Sequence, residues 1–146
     1  MLFIILEVVY ICWSEKNRSP LIRIPAAREE GTRIEIRNPD PSCNPYLALA
    51  VILEAGLDGI NNKISPPEPV NRNIFNMSFQ ELNEVNIGTL PGDLMEALKE
   101  LQKDEIIKSA LGEHIYSHFL EAKKIEWEMY RKQVHPWEIK QYLDIF

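Results

Sequence analysis

The segment Arg33-Ile34-Glu35-Ile36-Arg37 alternates charged and apolar residues with a period of two. This period predicts a β-strand that places the three charged side chains on one face and the two isoleucines on the other. Side chains on the same face of a strand lie about 7 Å apart. At that spacing the guanidinium groups are suited to bind an anion, such as a phosphate or a carboxylate. The glutamate between them is suited to bind a metal cation.

The charge of the chain is unevenly distributed. The formal charge of the 146 residues is -6. Residues 1–37 carry six basic against five acidic side chains, a balance of +1, and the rest carry ten against seventeen, a balance of -7. The first part holds five arginines, at Arg18, Arg23, Arg28, Arg33 and Arg37. Nucleic-acid binding generally uses a broader basic surface, so one local basic site favours a small anionic ligand and argues against nucleic acid.

The chain begins with an apolar run, MLFIILEVVYICW, interrupted by Glu7. This run has no basic flank and no small-residue cleavage site, so it does not resemble a signal peptide, and it is too short to span a membrane. We interpret it as buried strand that needs neighbours on both faces, which suggests that the chain is the tail of something larger. Cys12 and Cys43 predict reduced thiols in a cytoplasmic protein.

The hydrophobic pattern changes between residues 38 and 44. Residues 1–38 contain short strand-like runs separated by prolines and glycine, and helical patterns follow. Asn44 is placed to cap a helix that begins at Pro45 and extends to about Asn61. Apolar residues occupy nearly all sides of this helix, which predicts that it is buried, and two glycines near its end are expected to terminate it.

The longest helical pattern follows Gly112 and extends to about Val134, where Pro136 is expected to end it. His114 and His118 lie four residues apart in this helix, a spacing that two metal ligands can use. No third ligand accompanies them, and a plain surface pair is the more common outcome. The whole pattern predicts an α+β fold, with a few antiparallel strands followed by a helical C-terminal region.

Three blocks, NRSPLIRIP, RIEIRNPDP and NPYLALAVILEAGLDGINNKI, closely resemble the C-terminal part of bacterial type-one glutamine synthetase in order and spacing. The resemblance covers essentially the whole chain. It implies that residues 1–146 are the C-terminal portion of the catalytic domain, with strands of the catalytic barrel in residues 1–38 and helices in residues 44–146. The N-terminal domain and the first part of the catalytic domain are then absent from this sequence.

Members of that family make glutamine from glutamate, ammonia and ATP through γ-glutamyl phosphate, and they use magnesium or manganese. The resemblance implies that Arg18 stabilises charge at the phosphoryl group and the glutamate, and that Arg37 binds the glutamate carboxylate. It assigns Arg23 and Arg33 to the nucleotide and Glu35 to a metal ion near the ATP phosphates. From spacing alone, an ion-pair network in which Glu35 pairs with Arg33 or Arg37 is an alternative to a binding site.

Other parts of the family's site have no counterpart in this sequence. The family's flap glutamate aligns with Leu6, and Glu7 lies one residue later. The remaining metal ligands and the ammonium-site aspartate belong to regions of the family's chain that are missing here. Phosphoryl transfer needs its metals and its arginines together, so we expect the isolated chain to be inactive.

The C-terminal segment HPWEIKQYLDIF resembles the helical tail that docks on an opposing subunit in the family's dodecamer. Its apolar residues suit burial against other glutamine synthetase subunits, and packing against its own chain is the alternative. Phe75 stands where some members carry an adenylylated tyrosine, which resembles the feedback-inhibited branch. A second hypothesis is a non-catalytic assembly or regulatory module that docks on full-length subunits or on a regulator.

Overall fold

A computed structural model describes residues 10–85 and 87–145. The strands are β1 (Tyr10–Ile11), β2 (Trp13–Ser14), β3 (Ile22–Arg23), β4 (Glu35–Ile36) and β5 (Gly88–Thr89), and the helices are α1 (Pro45–Asn61), α2 (Phe79–Glu84), α3 (Leu94–Lys103), α4 (Glu105–Tyr130) and α5 (Pro136–Tyr142). This order of elements confirms the α+β class. The chain divides into two compact units, one on each side of the bond between Leu90 and Pro91.

The first unit contains two small sheets. β1 pairs with β5 in antiparallel orientation, and β2, β3 and β4 form a three-stranded sheet with β3 in the centre. β3 and β4 are antiparallel, as the sequence predicts, whereas β2 and β3 are parallel. The sheet is mixed because the connection of residues 15–21 returns the chain to the start of β2 before β3 begins.

The loop that follows α1 is hydrogen-bonded to β2. The indole Nε1 of Trp13 donates a hydrogen bond of 2.6 Å to the carbonyl of Pro67, and the Trp13 carbonyl accepts one of 2.9 Å from the N–H of Val70. Ile74, in the 3₁₀ turn after this loop, is 0% exposed. Cys12 is also buried, and its thiol is free, as the sequence predicts.

Helix α1 begins where the sequence predicts. The side-chain oxygen of Asn44 accepts hydrogen bonds from the N–H groups of Tyr46 and Leu47, at 3.0 and 3.4 Å, and Pro45 occupies the first turn. The prediction that this helix is buried is wrong, because none of its residues is buried. Strands of two residues offer too little surface to cover a helix of 17 residues.

The helix exposes a continuous apolar stripe. Its members recur every three or four residues and form what we call the α1 stripe: Tyr46, Leu49, Leu53, Leu57 and Ile60. The two glycines that were expected to end the helix, Gly56 and Gly59, lie within it, and it continues to Asn61. A Cβ atom added at either glycine would meet nothing within 4 Å, so neither glycine serves close packing in this structure.

The second unit is helical. α3 packs against α4, and Leu98 and Tyr116 are buried. Gly112 interrupts α4 with a φ of 68°, a left-handed conformation that glycine adopts without steric cost. The helix ends at Tyr130, earlier than predicted, and Pro136 begins α5 instead of ending the long helix, since its fixed φ suits a first turn. Within residues 10–85 and 87–145, no helix has the length and apolar character needed to cross a membrane.

Candidate functional site

The register of β3 and β4 places Arg23 directly opposite Glu35. Across this pair, Nη1 of Arg23 donates a hydrogen bond of 3.0 Å to Oε2 of Glu35. The apolar neighbours Ile22 and Ile36 face each other at the adjacent register position. Period-two alternation in both strands therefore carries the basic and acidic side chains to one point of the sheet.

A second arginine binds the other oxygen of the same carboxylate. Arg33 donates to Oε1 of Glu35 from both Nε and Nη2, at 3.0 and 2.8 Å, and its Nη1 donates to the carbonyl of Gly31. Arg33 and Glu35 are two residues apart, which fits the shared face predicted from their alternation. A 3₁₀ turn, Glu29–Gly31, precedes them and supplies the carbonyl that helps to orient Arg33.

These three side chains form what we call the Glu35 cluster. The side chains of Arg23, Glu35 and Arg33 are 22%, 30% and 52% exposed, so solvent reaches the cluster only in part. Hydrogen bonds from Arg23, and then from Arg33, hold the pKa of the Glu35 carboxyl below its usual range. The glutamate is therefore ionised at neutral pH and bound at both oxygens.

The other two predicted site arginines do not join this cluster. The backbone N–H of Arg37 donates to the carbonyl of Leu21 at 3.0 Å, which extends the pairing of β3 and β4 by one position. In the part of the chain that the structure describes, the side chains of Arg18 and Arg37 form no ion pair. The sequence suggested Arg33 or Arg37 as the ion-pair partner of Glu35. The structure shows the pair with Arg33, and it adds a pair with Arg23 from the neighbouring strand.

Arg18 is exposed and lies in a turn that side chains hold firmly. The amide Nδ2 of Asn17 donates to the carbonyls of Val70 and Arg72, at 3.1 and 2.6 Å. On the other side of Arg18, the hydroxyl of Ser19 donates to Oδ1 of Asn17 at 3.2 Å. These bonds fix the backbone on both sides of Arg18 and leave its guanidinium directed to solvent.

The sequence did not identify Ser14 and Asn71 as functional residues. Ser14 is 0% exposed, and its hydroxyl donates to Oδ1 of Asn71 at 3.0 Å. The same hydroxyl accepts hydrogen bonds from the N–H groups of Lys16 and Asn17. The hydrogen bond between Ser14 and Asn71 spans 57 positions in sequence. No local signal could therefore have shown that Ser14 supports the turn of Arg18.

The chemistry of the donors fits an anion better than a metal ion. The Nε atom of Arg23 is buried and has no hydrogen-bond partner in the described residues, so the cluster has an unused donor. Those residues also contain no group of three or more His, Cys, Asp or Glu side chains that could hold a metal ion. Glu35 therefore lacks co-ligands within residues 10–85 and 87–145, and Glu7, the candidate flap residue, lies outside these ranges.

The ion pairs at Glu35 predict a pH dependence that a glutamine substitution can isolate. The folded-state pKa lies below the ordinary value of 4.5, so the ionised carboxylate favours folding above that value. This contribution is lost as the pH falls through the lower folded-state pKa. We expect the urea midpoints of wild type and Glu35→Gln to differ most at neutral pH and to converge below 4.5. Glu68→Gln, at an exposed position, controls for the loss of a charge, and a gap that persists unchanged into acid contradicts the prediction.

The chain matches the family model described as the glutamine synthetase catalytic domain over residues 6–142. This match covers most of the sequence and includes every residue of the Glu35 cluster. The chain belongs to the glutamine synthetase family, a family of ligases, and the resemblance carried by its three sequence blocks is confirmed.

Curated glutamine synthetases from several organisms are similar to this chain. The protein from Methanosarcina mazei is 58% identical over 137 residues, which cover 94% of this chain and 31% of that protein. The protein from Thermus thermophilus is 58% identical over 133 residues, with 91% and 30% covered. The chain thus spans only about three tenths of the length of these relatives.

Solved structures agree with the sequence comparisons. A structure described as apo GmaS without ligand superposes with a TM-score of 0.79 at 34% identity, covering 96% of this chain and 31% of that one. The cryo-EM structure of Plasmodium falciparum glutamine synthetase superposes with a TM-score of 0.73, covering 93% and 34%. At 23% identity, the second comparison supports the fold alone.

Proposed function

We propose that this chain supplies the arginine-rich part of a glutamine synthetase active site, the part that binds the phosphates of ATP and the substrate glutamate. The observation that supports this most directly is the convergence of Arg23 and Arg33 on Glu35 within the residues that match the family model. Two guanidinium groups at one partly exposed point suit phosphate oxygens, which accept charge-assisted and often paired hydrogen bonds.

The proposed roles follow the positions of the arginines. Arg23 and Arg33 bind nucleotide phosphates, and Arg37, one position beyond β4, binds the carboxylate of glutamate. Arg18 extends from its hydrogen-bonded turn and contacts the γ-phosphate of bound ATP, and it stabilises the charge that develops there when the glutamate side chain attacks. Fixed donors of this kind lower the barrier because they need no reorganisation during the reaction.

A magnesium or manganese ion would neutralise charge on the phosphates, and Glu35 is the residue of this chain proposed to bind it. Both oxygens of Glu35 are bound by arginines, and the described residues offer no co-ligand. The additional ligands would have to come from regions that the longer relatives contain and this chain does not. We therefore propose that the chain alone, in the cytoplasm or in solution, produces no glutamine.

Calorimetric titration of the purified chain with ATP and magnesium tests the binding role. We expect Arg18→Ala to weaken binding by about tenfold or more, since one charge-assisted contact to phosphate is lost. Arg131→Ala is a matched control, because Arg131 is an arginine of the second unit that pairs with Glu128. If binding is indifferent to Arg18→Ala, or equally sensitive to both substitutions, the proposed role of Arg18 fails.

A second candidate function, assembly without catalysis, is favoured by the exposed apolar tail. In α5 and the turn after it, the large apolar side chains are all exposed: Trp137, Ile139, Tyr142, Leu143 and Ile145. Such a surface suits burial against a full-length subunit, as in the dodecamer of the family, or against a regulator. Co-assembly of the chain with a full-length homologue tests this function, with a variant that lacks residues 136–146 for comparison. If the shortened variant associates as strongly as the whole chain, the tail is not the docking element.

A further inference from the structure

We propose that His114 and His118 form a two-ligand site for a late first-row transition-metal ion, of the class that includes Ni²⁺ and Cu²⁺. The site lies on helix α4, in the second unit, and it does not depend on the function proposed for the arginines of the first unit. Each histidine supplies one imidazole nitrogen, and water completes the coordination of the ion.

The spacing of the two imidazole rings suits one shared ion. His114 and His118 are one helical turn apart and therefore lie on the same side of α4. Their ring centroids are 4.4 Å apart, and the ring planes are inclined by 44°. When two imidazoles coordinate one ion at a right angle, each centroid lies about 3.2 Å from the ion and the centroids lie about 4.5 Å apart. The observed spacing therefore matches the right-angle coordination that Ni²⁺ and Cu²⁺ adopt.

A backbone carbonyl fixes the orientation of one ring. Nδ1 of His118 lies 2.8 Å from the carbonyl oxygen of His114. Because a carbonyl oxygen only accepts hydrogen bonds, Nδ1 carries the proton and donates it. In the neutral ring this leaves the lone pair of Nε2 free for a metal ion. Histidines that bind metals in proteins commonly donate from their second nitrogen to a carbonyl or carboxylate in this way.

The surroundings of the pair are open and favour a cation. Both histidines are exposed, so an ion reaches them without any movement of the helix. Glu113 precedes His114, and Glu121 follows His118 by three residues, and both glutamates are exposed. Residues 109–122 contain no lysine or arginine, so this stretch of α4 holds no fixed positive charge that would repel the ion.

Two ligands on one rigid helix bind an ion more tightly than a single imidazole does. Once one ring holds the ion, α4 keeps the other ring beside it, so the second binding step is intramolecular. The described residues contain no group of three or more His, Cys, Asp or Glu side chains that could hold a metal ion. The site is therefore a surface chelate with exchangeable water ligands.

Calorimetric titration with Ni²⁺ alone tests the proposal. The parent for all variants is Cys43→Ser, because Cys43 is an exposed free thiol and a competing ligand. We expect His114→Ala and His118→Ala each to weaken Ni²⁺ binding by about a hundredfold, since loss of either ring abolishes chelation. His135→Asn is the matched control: it removes the third histidine of the chain, at the start of α5, and keeps a side chain suited to capping. This control should bind Ni²⁺ as the parent does.

An affinity that is unchanged in either alanine variant overturns the proposal, as does a parent that does not bind Ni²⁺. If the alanine variants fail to fold, NMR of the imidazole resonances in the parent gives the answer. Bound Ni²⁺ is paramagnetic, so substoichiometric additions should broaden the resonances of His114 and His118 before those of His135. Equal broadening of all three histidines, or earlier broadening of His135, contradicts a site at this pair.

Discussion

Replacing Ile74 with alanine is expected to lower the free energy of unfolding of the first unit by about 2–5 kcal/mol. Ile74 is 0% exposed, so the substitution removes buried methyl and methylene groups and leaves a cavity. Its 3₁₀ turn directly follows the loop whose Val70 and Arg72 carbonyls hold Asn17. The loss of packing should therefore also destabilise the turn that carries Arg18.

Urea unfolding of wild type and Ile74→Ala measures this effect. Ile60→Ala is a matched control, since Ile60 is the same residue type at 73% exposure. We expect the control to change stability by no more than about 0.5 kcal/mol, as surface substitutions usually do. Similar losses in the two variants would mean that Ile74 is not the apolar centre of this unit.

Three substitutions in the α1 stripe, Leu49→Gln, Leu53→Gln and Leu57→Gln, are expected to weaken self-association of the chain by about a hundredfold. Each leucine is exposed, and together they cover more than two turns of one helix face. An apolar surface of this kind favours association in water because contact removes it from solvent.

Sedimentation or light scattering over a range of concentrations measures this association. Glu54→Gln controls for changes in helix charge, because Glu54 belongs to α1 but lies outside the α1 stripe. We expect this variant to associate as wild type does. A wild-type chain that stays monomeric at high concentration, or a triple variant that associates as strongly, contradicts the prediction.

Local signals in the sequence were sufficient where the structure depends on neighbouring residues. Asn44 and Pro45 correctly marked the start of α1, because an N-cap acts on residues two and three positions ahead. The alternation of Arg33 and Glu35 likewise placed two side chains that the structure brings into contact.

Features that depend on distant residues could not be predicted in this way. The partnership of Arg23 with Glu35 comes from the register of two strands, and the support of Arg18 comes from Asn71 and the residues beside it. The apolar character of α1 predicted burial, yet a helix is buried only if another surface covers it. None of its residues is buried in this structure.

The indole of Trp13, bound to the Pro67 carbonyl beside the three-stranded sheet, gives the first unit an intrinsic optical probe. Trp13 pairs with Ile22, the residue before Arg23, so a ligand that moves this arginine should alter the emission of the indole. The other two tryptophans, Trp127 and Trp137, belong to the second unit. A variant with phenylalanine at both positions would keep Trp13 as its single indole, and emission excited selectively at tryptophan would report on the arginine site without an attached dye.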